Sequence, residues 1–202
     1  MYFRRALQMT TMQNTSEFSR WAIPPALWGH ALAGALLVMA GYVLAYLVQF
    51  DWLLGNWSTP YLLMVVVAVM VMVLLTVRRE EGGLAFGRAF LLAFLSGWLA
   101  RIGYNIFMLL FFQVLRPDLA AAYADLVLDK SMEAFAAFGL DGAMPELEGL
   151  SMESMIRDQA LWSLTLGGQA VDALTGMLWV AIVALVVAAI LRRPSADAEF
   201  KG

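Results

Sequence analysis

Four polar side chains sit where a polar side chain is expensive. Arg101 and Asn105 fall inside a long apolar stretch from Phe86 to Val114, and Gln169 and Asp172 fall inside another, from Ala160 to Leu191. A charge at the centre of a bilayer costs about 2.5 kcal/mol or more on insertion scales, so it needs a partner. Asp172 is the one counter-charge available to Arg101 deep within a span. A guanidinium facing a carboxylate can bond it with two nitrogens, and the amides of Asn105 and Gln169 add donors and acceptors beside it. Two uses of such a group differ in kind. It can fix the register of two helices, since polar contacts between spans are glue of about 0.6–2 kcal/mol. Alternatively, it can line a polar site for a solute, an ion or a lipid headgroup.

The depths of the two charges agree well enough for them to meet. Counting from the same side of the membrane, Phe86 to Arg101 is about 22 Å and Leu191 back to Asp172 is about 28 Å, at 1.5 Å per residue. A mismatch of about 6 Å is within reach of an extended arginine side chain. Spacing points the same way. Ala89, Ala93, Gly97, Arg101 and Asn105 recur every four residues, as do Gly168, Asp172 and Gly176. Each line is one helix face, so the small residues that allow close packing, Gly97, Gly168 and Gly176, share a face with the polar groups.

The elements that must hold this pair are membrane helices. The chain has 202 residues, of which 62% are hydrophobic and 14% charged, against roughly 25% charged in a soluble domain. Four apolar stretches, at about 26–50, 61–77, 86–114 and 160–191, are long enough to cross a bilayer. The fold expected is therefore all-α, a polytopic integral membrane protein with four spans. The second span is apolar all round and is expected to face lipid or another apolar subunit. Pro117 starts a helical insert over 117–158, and Ser151 caps a second helix that is expected to run on into the last span. Residues 1–25 form an arm ahead of the first span, and 194–202 a short polar tail.

Little else could carry chemistry. With no cysteine and one histidine, thiolate sites, disulfides and multi-histidine relays are excluded. Ser96 with His30 would be the only serine–base pair, and no protease motif surrounds it. Gly82 and Gly83 stand beside basic residues, but no P-loop or GxGxxG pattern is present. Asp141, Glu146 and Glu148 lack calcium-loop spacing. No basic stripe suits nucleic acid. These exclusions point to a protein that is not an enzyme and has no cofactor or metal.

Charge sets the expected topology. Arg4, Arg5, Arg20, Arg78, Arg79, Arg88, Arg192, Arg193 and Lys201 fall on one side of a four-span chain, and Arg116, Lys130 and Arg157 on the other. The basic side is the cytoplasmic one, which puts both termini inside and the acidic insert outside. Arg78, Arg79, Arg88, Arg192 and Arg193 are the expected lipid-headgroup contacts.

The run Arg78-Arg79, Gly82-Gly83, Phe86-Gly87-x-Ala89-Phe90 resembles the R…GG…FGxAF signature of a bacterial inner-membrane domain family of unknown function. That resemblance covers about residues 26–193. It implies four spans, a proline-containing exit from the third, matched by Arg116-Pro117-Asp118 and Tyr123, and an acidic helical insert before the fourth. It implies no activity. Taken together, the expectation is a non-enzymatic scaffold or accessory subunit of a bacterial inner-membrane assembly, in contact with lipid and with other membrane subunits or further copies of itself. The alternative is a small transporter, or a lipid- or solute-binding protein built on Arg101 and Asp172.

Overall fold

The computed structural model describes residues 23–55, 57–139 and 151–192. Its architecture is all-helical. Four long apolar helices account for most of it: α1 Pro25–Val48, α2 Ser58–Glu81, α3 Phe86–Leu110 and, after two shorter helices, α6 Leu166–Leu191. Between α3 and α6 come α4 Ala120–Ala137 and α5 Met152–Ser163, packed on each other as a hairpin. Residues 1–22 of the N-terminal arm, Arg193 and the tail lie outside the described residues, as do Asp141, Glu146 and Glu148.

Local sequence explains the ends. Pro25 opens α1, where its missing N–H and fixed φ cost nothing. Arg78 and Arg79 occupy the last turn of α2 beside its exposed carbonyls, and Gly82 closes that helix in the left-handed region at φ 72°. Ser151 caps α5 as expected, accepting from the Ser154 N–H at 3.2 Å.

Three features differ from their expected form. α2 has 24 residues rather than 17, because helix formation continues through the polar residues at both ends. Nor does α2 face outward all round: Val66, Val69, Met70, Val73, Leu74 and Val77 form a buried stripe, while Leu63, Met64 and Met72 stay exposed. Finally, α5 does not run on into the last span. The chain breaks at Leu164 and Thr165, and Thr165 caps α6 by accepting from the Gly168 N–H at 3.2 Å. Gly168 belongs to this break, because a Cβ there would meet the Trp162 carbonyl and lie 2.6 Å from Ser163 Cα.

α3 is the hub. It packs on α1, α2 and α6, and the other helices are arranged around it. Glycine sets two of these contacts. Gly97 receives Met70 from α2, and Gly103 rests on the α1 backbone, where a Cβ would sit 2.6 Å from the Ala35 carbonyl oxygen. At its far end α3 widens into one π-helical turn, Phe111–Leu115, closed by Arg116 N–H to the Phe111 carbonyl at 2.7 Å. The α4–α5 hairpin folds back against the Phe50–Leu54 turn that joins α1 to α2. The α2–α3 turn lies at the opposite end with Arg192, whose guanidinium stacks 5.9 Å from the Phe86 ring centroid.

The α1–α3 crossing supplies a test. Gly103→Val has no space and no movable side chain to displace, so it should destabilise by about 1–3 kcal/mol or more. Gly29→Ala, with nothing within 4 Å of its Cβ, should be silent. Thermal aggregation in detergent, followed by size-exclusion chromatography, measures both.

Candidate functional site: an intramembrane ion pair

α3 carries Arg101 and Asn105 one turn apart, and α6 carries Gln169 and Asp172 on the face that meets them. Running in opposite directions, the two helices bring all four together in one chain. Arg101 Nη2 donates to both carboxylate oxygens of Asp172, at 3.2 Å and 3.0 Å. Its Nη1 donates to the Asp172 backbone carbonyl at 3.1 Å and lies 3.5 Å from the Asn105 side-chain oxygen. Asn105 Nδ2 donates to the Gln169 side-chain oxygen and to Asp172 Oδ2, each at 2.8 Å. Gln169 Nε2 turns the other way and donates to the Ser163 carbonyl at 2.7 Å, one of the orphan acceptors at the end of α5.

Packing makes the pair possible. Gly176 lies directly beneath the guanidinium, which would collide with any Cβ there. Two further bonds across the break and the α3–α6 seam flank the network. Trp98 Nε1 donates to the Ala173 carbonyl at 3.3 Å, and Gln113 Nε2 to the Leu164 carbonyl at 3.1 Å. Asn105 and Gln169 are buried, and the Arg101 side chain is 15% exposed. Asp172 differs: its side chain keeps 40% of its surface open. The group is thus internally bonded on three sides and accessible at one carboxylate.

Sequence reasoning placed Tyr123 only at the exit from the third span, without a role in the site, and did not single out Tyr104. Tyr123, from α4, is buried with its ring 4.9 Å from that of Phe112. Burial above all pushes the Tyr123 hydroxyl up to about 12. The Asp172 carboxylate adds to the rise, and the bond with Tyr104 opposes it. Tyr123 is therefore a neutral hydroxyl at any physiological pH. Tyr104 lies three residues after Arg101, a spacing that places it one turn along α3. Nothing local marks Tyr123 as its partner.

The remaining chemistry-bearing residues are occupied elsewhere. His30 Nε2 pairs with Thr76 Oγ1 at 3.3 Å, between α1 and α2, and the buried Ser96 hydroxyl donates to the Ala93 carbonyl at 3.1 Å within its own helix. No cluster of three or more metal-ligating His, Asp or Glu side chains occurs among the described residues. At the other end, Arg88 Nη2 bonds Glu81 at 2.5 Å.

Removing one member of the pair should cost more than removing both. A buried pair broken on one side costs about 3–5 kcal/mol in soluble cores, and the open face of Asp172 reduces that figure. Arg101→Leu should lose about 1–3 kcal/mol, and Arg101→Leu with Asp172→Leu should recover at least half of it. A double-mutant cycle on unfolding in mixed micelles reads the difference.

No curated protein and no solved structure matches the chain. Its family does emerge: residues 28–193 match the one described as "Protein of unknown function (DUF4199)". With most of its length covered, including the four long helices and the insert, the chain belongs to that family.

Proposed function

We propose that this protein is a non-enzymatic integral membrane scaffold, an accessory subunit of a bacterial inner-membrane assembly. The observation that carries the reading is how fully the intramembrane polar groups satisfy one another. Asn105 and Gln169 are buried and mutually bonded, and Arg101 is clamped on Asp172. A network of this kind holds two helices in register. The outer faces of α1 and α6 support the same reading, since Leu32, Leu36, Leu44, Leu174, Leu178 and Trp179 are left exposed for lipid or for neighbouring subunits, including further copies of the chain.

The arginine end is the cytoplasmic end in this proposal, and both termini lie there. Arg78, Arg79, Arg88 and Arg192 then meet lipid headgroups. Arg88 is the least free of them, because its Nη2 is held by Glu81. The insert stands on the outer side, and the Arg78–Phe90 stretch marks the family. Cysteine substitution reads this topology cleanly in a chain that has none. Lys130→Cys should react with a membrane-impermeant maleimide added to spheroplasts, and Arg79→Cys only after lysis.

A second reading, a small transporter or a lipid- or solute-binding protein, draws on the open carboxylate of Asp172. Purification from native membranes in mild detergent, with mass spectrometry of protein and lipid, separates the two. The scaffold reading expects a stoichiometric set of protein partners that survives Arg101→Leu with Asp172→Leu. A chain recovered without partners, holding a small molecule that the double variant loses, would establish the binding reading instead.

A further inference from the structure

The insert end of the bundle keeps an apolar rim. Val114 and Leu115, in the π-helical turn, are 68% and 67% exposed, and Leu166, at the start of α6, is 73% exposed. Leu161 and Trp162, in the last turn of α5, are exposed as well. The bond from Gln113 to the Leu164 carbonyl brings the two stretches to one height. No charged residue falls between Arg101 and Arg116, or between Asp158 and Asp172.

Two observations say what covers the rim. The first is continuity. Ile106, Leu110 and Val114 are exposed at four-residue spacing along α3, and Leu166, Ala170, Leu174 and Leu178 are exposed at the same spacing along α6. The outward stripes of two helices long enough to cross a membrane therefore run into the rim without a charge. The second is how the break between α5 and α6 satisfies itself. A helix end in water can leave its last carbonyls to the solvent. Here the Trp162 carbonyl accepts from Thr165 Oγ1 at 2.7 Å, that of Ser163 from Gln169 Nε2 at 2.7 Å, and that of Leu164 from Gln113 Nε2 at 3.1 Å. Leu164 itself is buried. Non-helical backbone at membrane depth has to be buried in protein, with its polar groups bonded from within.

We propose that lipid of the insert-side leaflet covers this rim. The last turn of α5, the break and the π-helical turn lie in the interfacial layer of the bilayer, with Trp162 at headgroup level. The insert then leaves the membrane at Arg116 and Asp158, not at the break. Helix length agrees: α6 alone is about 38 Å long at 1.5 Å per residue, more than a hydrocarbon core of about 30 Å. Its first turn stands in the interfacial layer, and the last turn of α5 joins it there. This inference rests on the four-span reading.

Single cysteines, placed in a chain that has none and carrying a nitroxide, test it. The purified full chain in phospholipid nanodiscs is read by relaxation enhancement with oxygen, which partitions into lipid, against a water-soluble nickel chelate. Leu115→Cys, Leu161→Cys and Leu166→Cys should favour oxygen, and Lys130→Cys and Glu153→Cys the chelate. All five positions are exposed, so the label displaces no core. Leu36→Cys and Leu174→Cys, on the outer faces of α1 and α6, separate the two ways of failing. If they too favour the chelate, the four-span reading falls and takes the proposal with it. If they favour oxygen while the rim positions favour the chelate, the spans stand and the proposal alone is overturned. Rim positions closed to both probes also overturn it, because a second copy of the chain would then cover them.

Discussion

A guanidinium in the middle of an apolar helix long enough to cross a bilayer has to be neutralised and bonded, and that requirement governs the rest of this structure. Arg101 cannot reach water from the middle of α3, so a carboxylate must come to it. That fixes which face of α6 turns inward and how far along its axis α6 must sit. The other constraints follow. Gly176 must lack a side chain so the guanidinium can lie against the helix. Asn105 and Gln169 must fill the hydrogen-bonding capacity that two charges leave over. α3 then becomes the hub, because the pair binds it to α6 while Gly97 and Gly103 bring in α2 and α1.

The same group gives the bundle its asymmetry. Toward the arginine end the contacts between helices are mostly apolar, as along the Val66 to Val77 stripe, apart from the His30–Thr76 bond and Arg192 on Phe86. Toward the insert end they become polar and aromatic, with Tyr42 5.0 Å from Tyr104 and Tyr123 4.9 Å from Phe112. An apolar half packs by shape alone and tolerates sliding. A half held by directed bonds does not.

The pair was legible in the sequence because membrane depth is nearly a one-dimensional coordinate. A fixed rise per residue converts sequence distance to height, so two charges can be matched without knowing the fold, and four-residue spacing of small residues shows which face each occupies. The break at Leu164 and Thr165 was not legible by that route. Hydropathy runs through it without a dip, and its markers, a threonine two residues before a Gly-Gly pair, look like ordinary span composition. The length of α2 was misjudged for a related reason: apolar length measures the hydrocarbon layer, whereas the helix continues through Arg78 to Glu81 because nothing there stops it before Gly82. The burial of Tyr123 against Phe112 was the hardest to see, since the two lie on either side of the exit from a π-helical turn that rotates everything after it.

The guanidinium lying on the bare backbone at Gly176 bears on how the family can vary. Positions 101 and 176 share one volume: a methyl at 176 requires the guanidinium of Arg101 to move off its seat or the cation to be shortened or lost. Loss of that cation in turn strands a carboxylate at 172. The three positions should therefore drift as a unit among relatives, with the full set kept or the full set replaced. Chains holding an alanine at 176 together with an arginine at 101 should be rare.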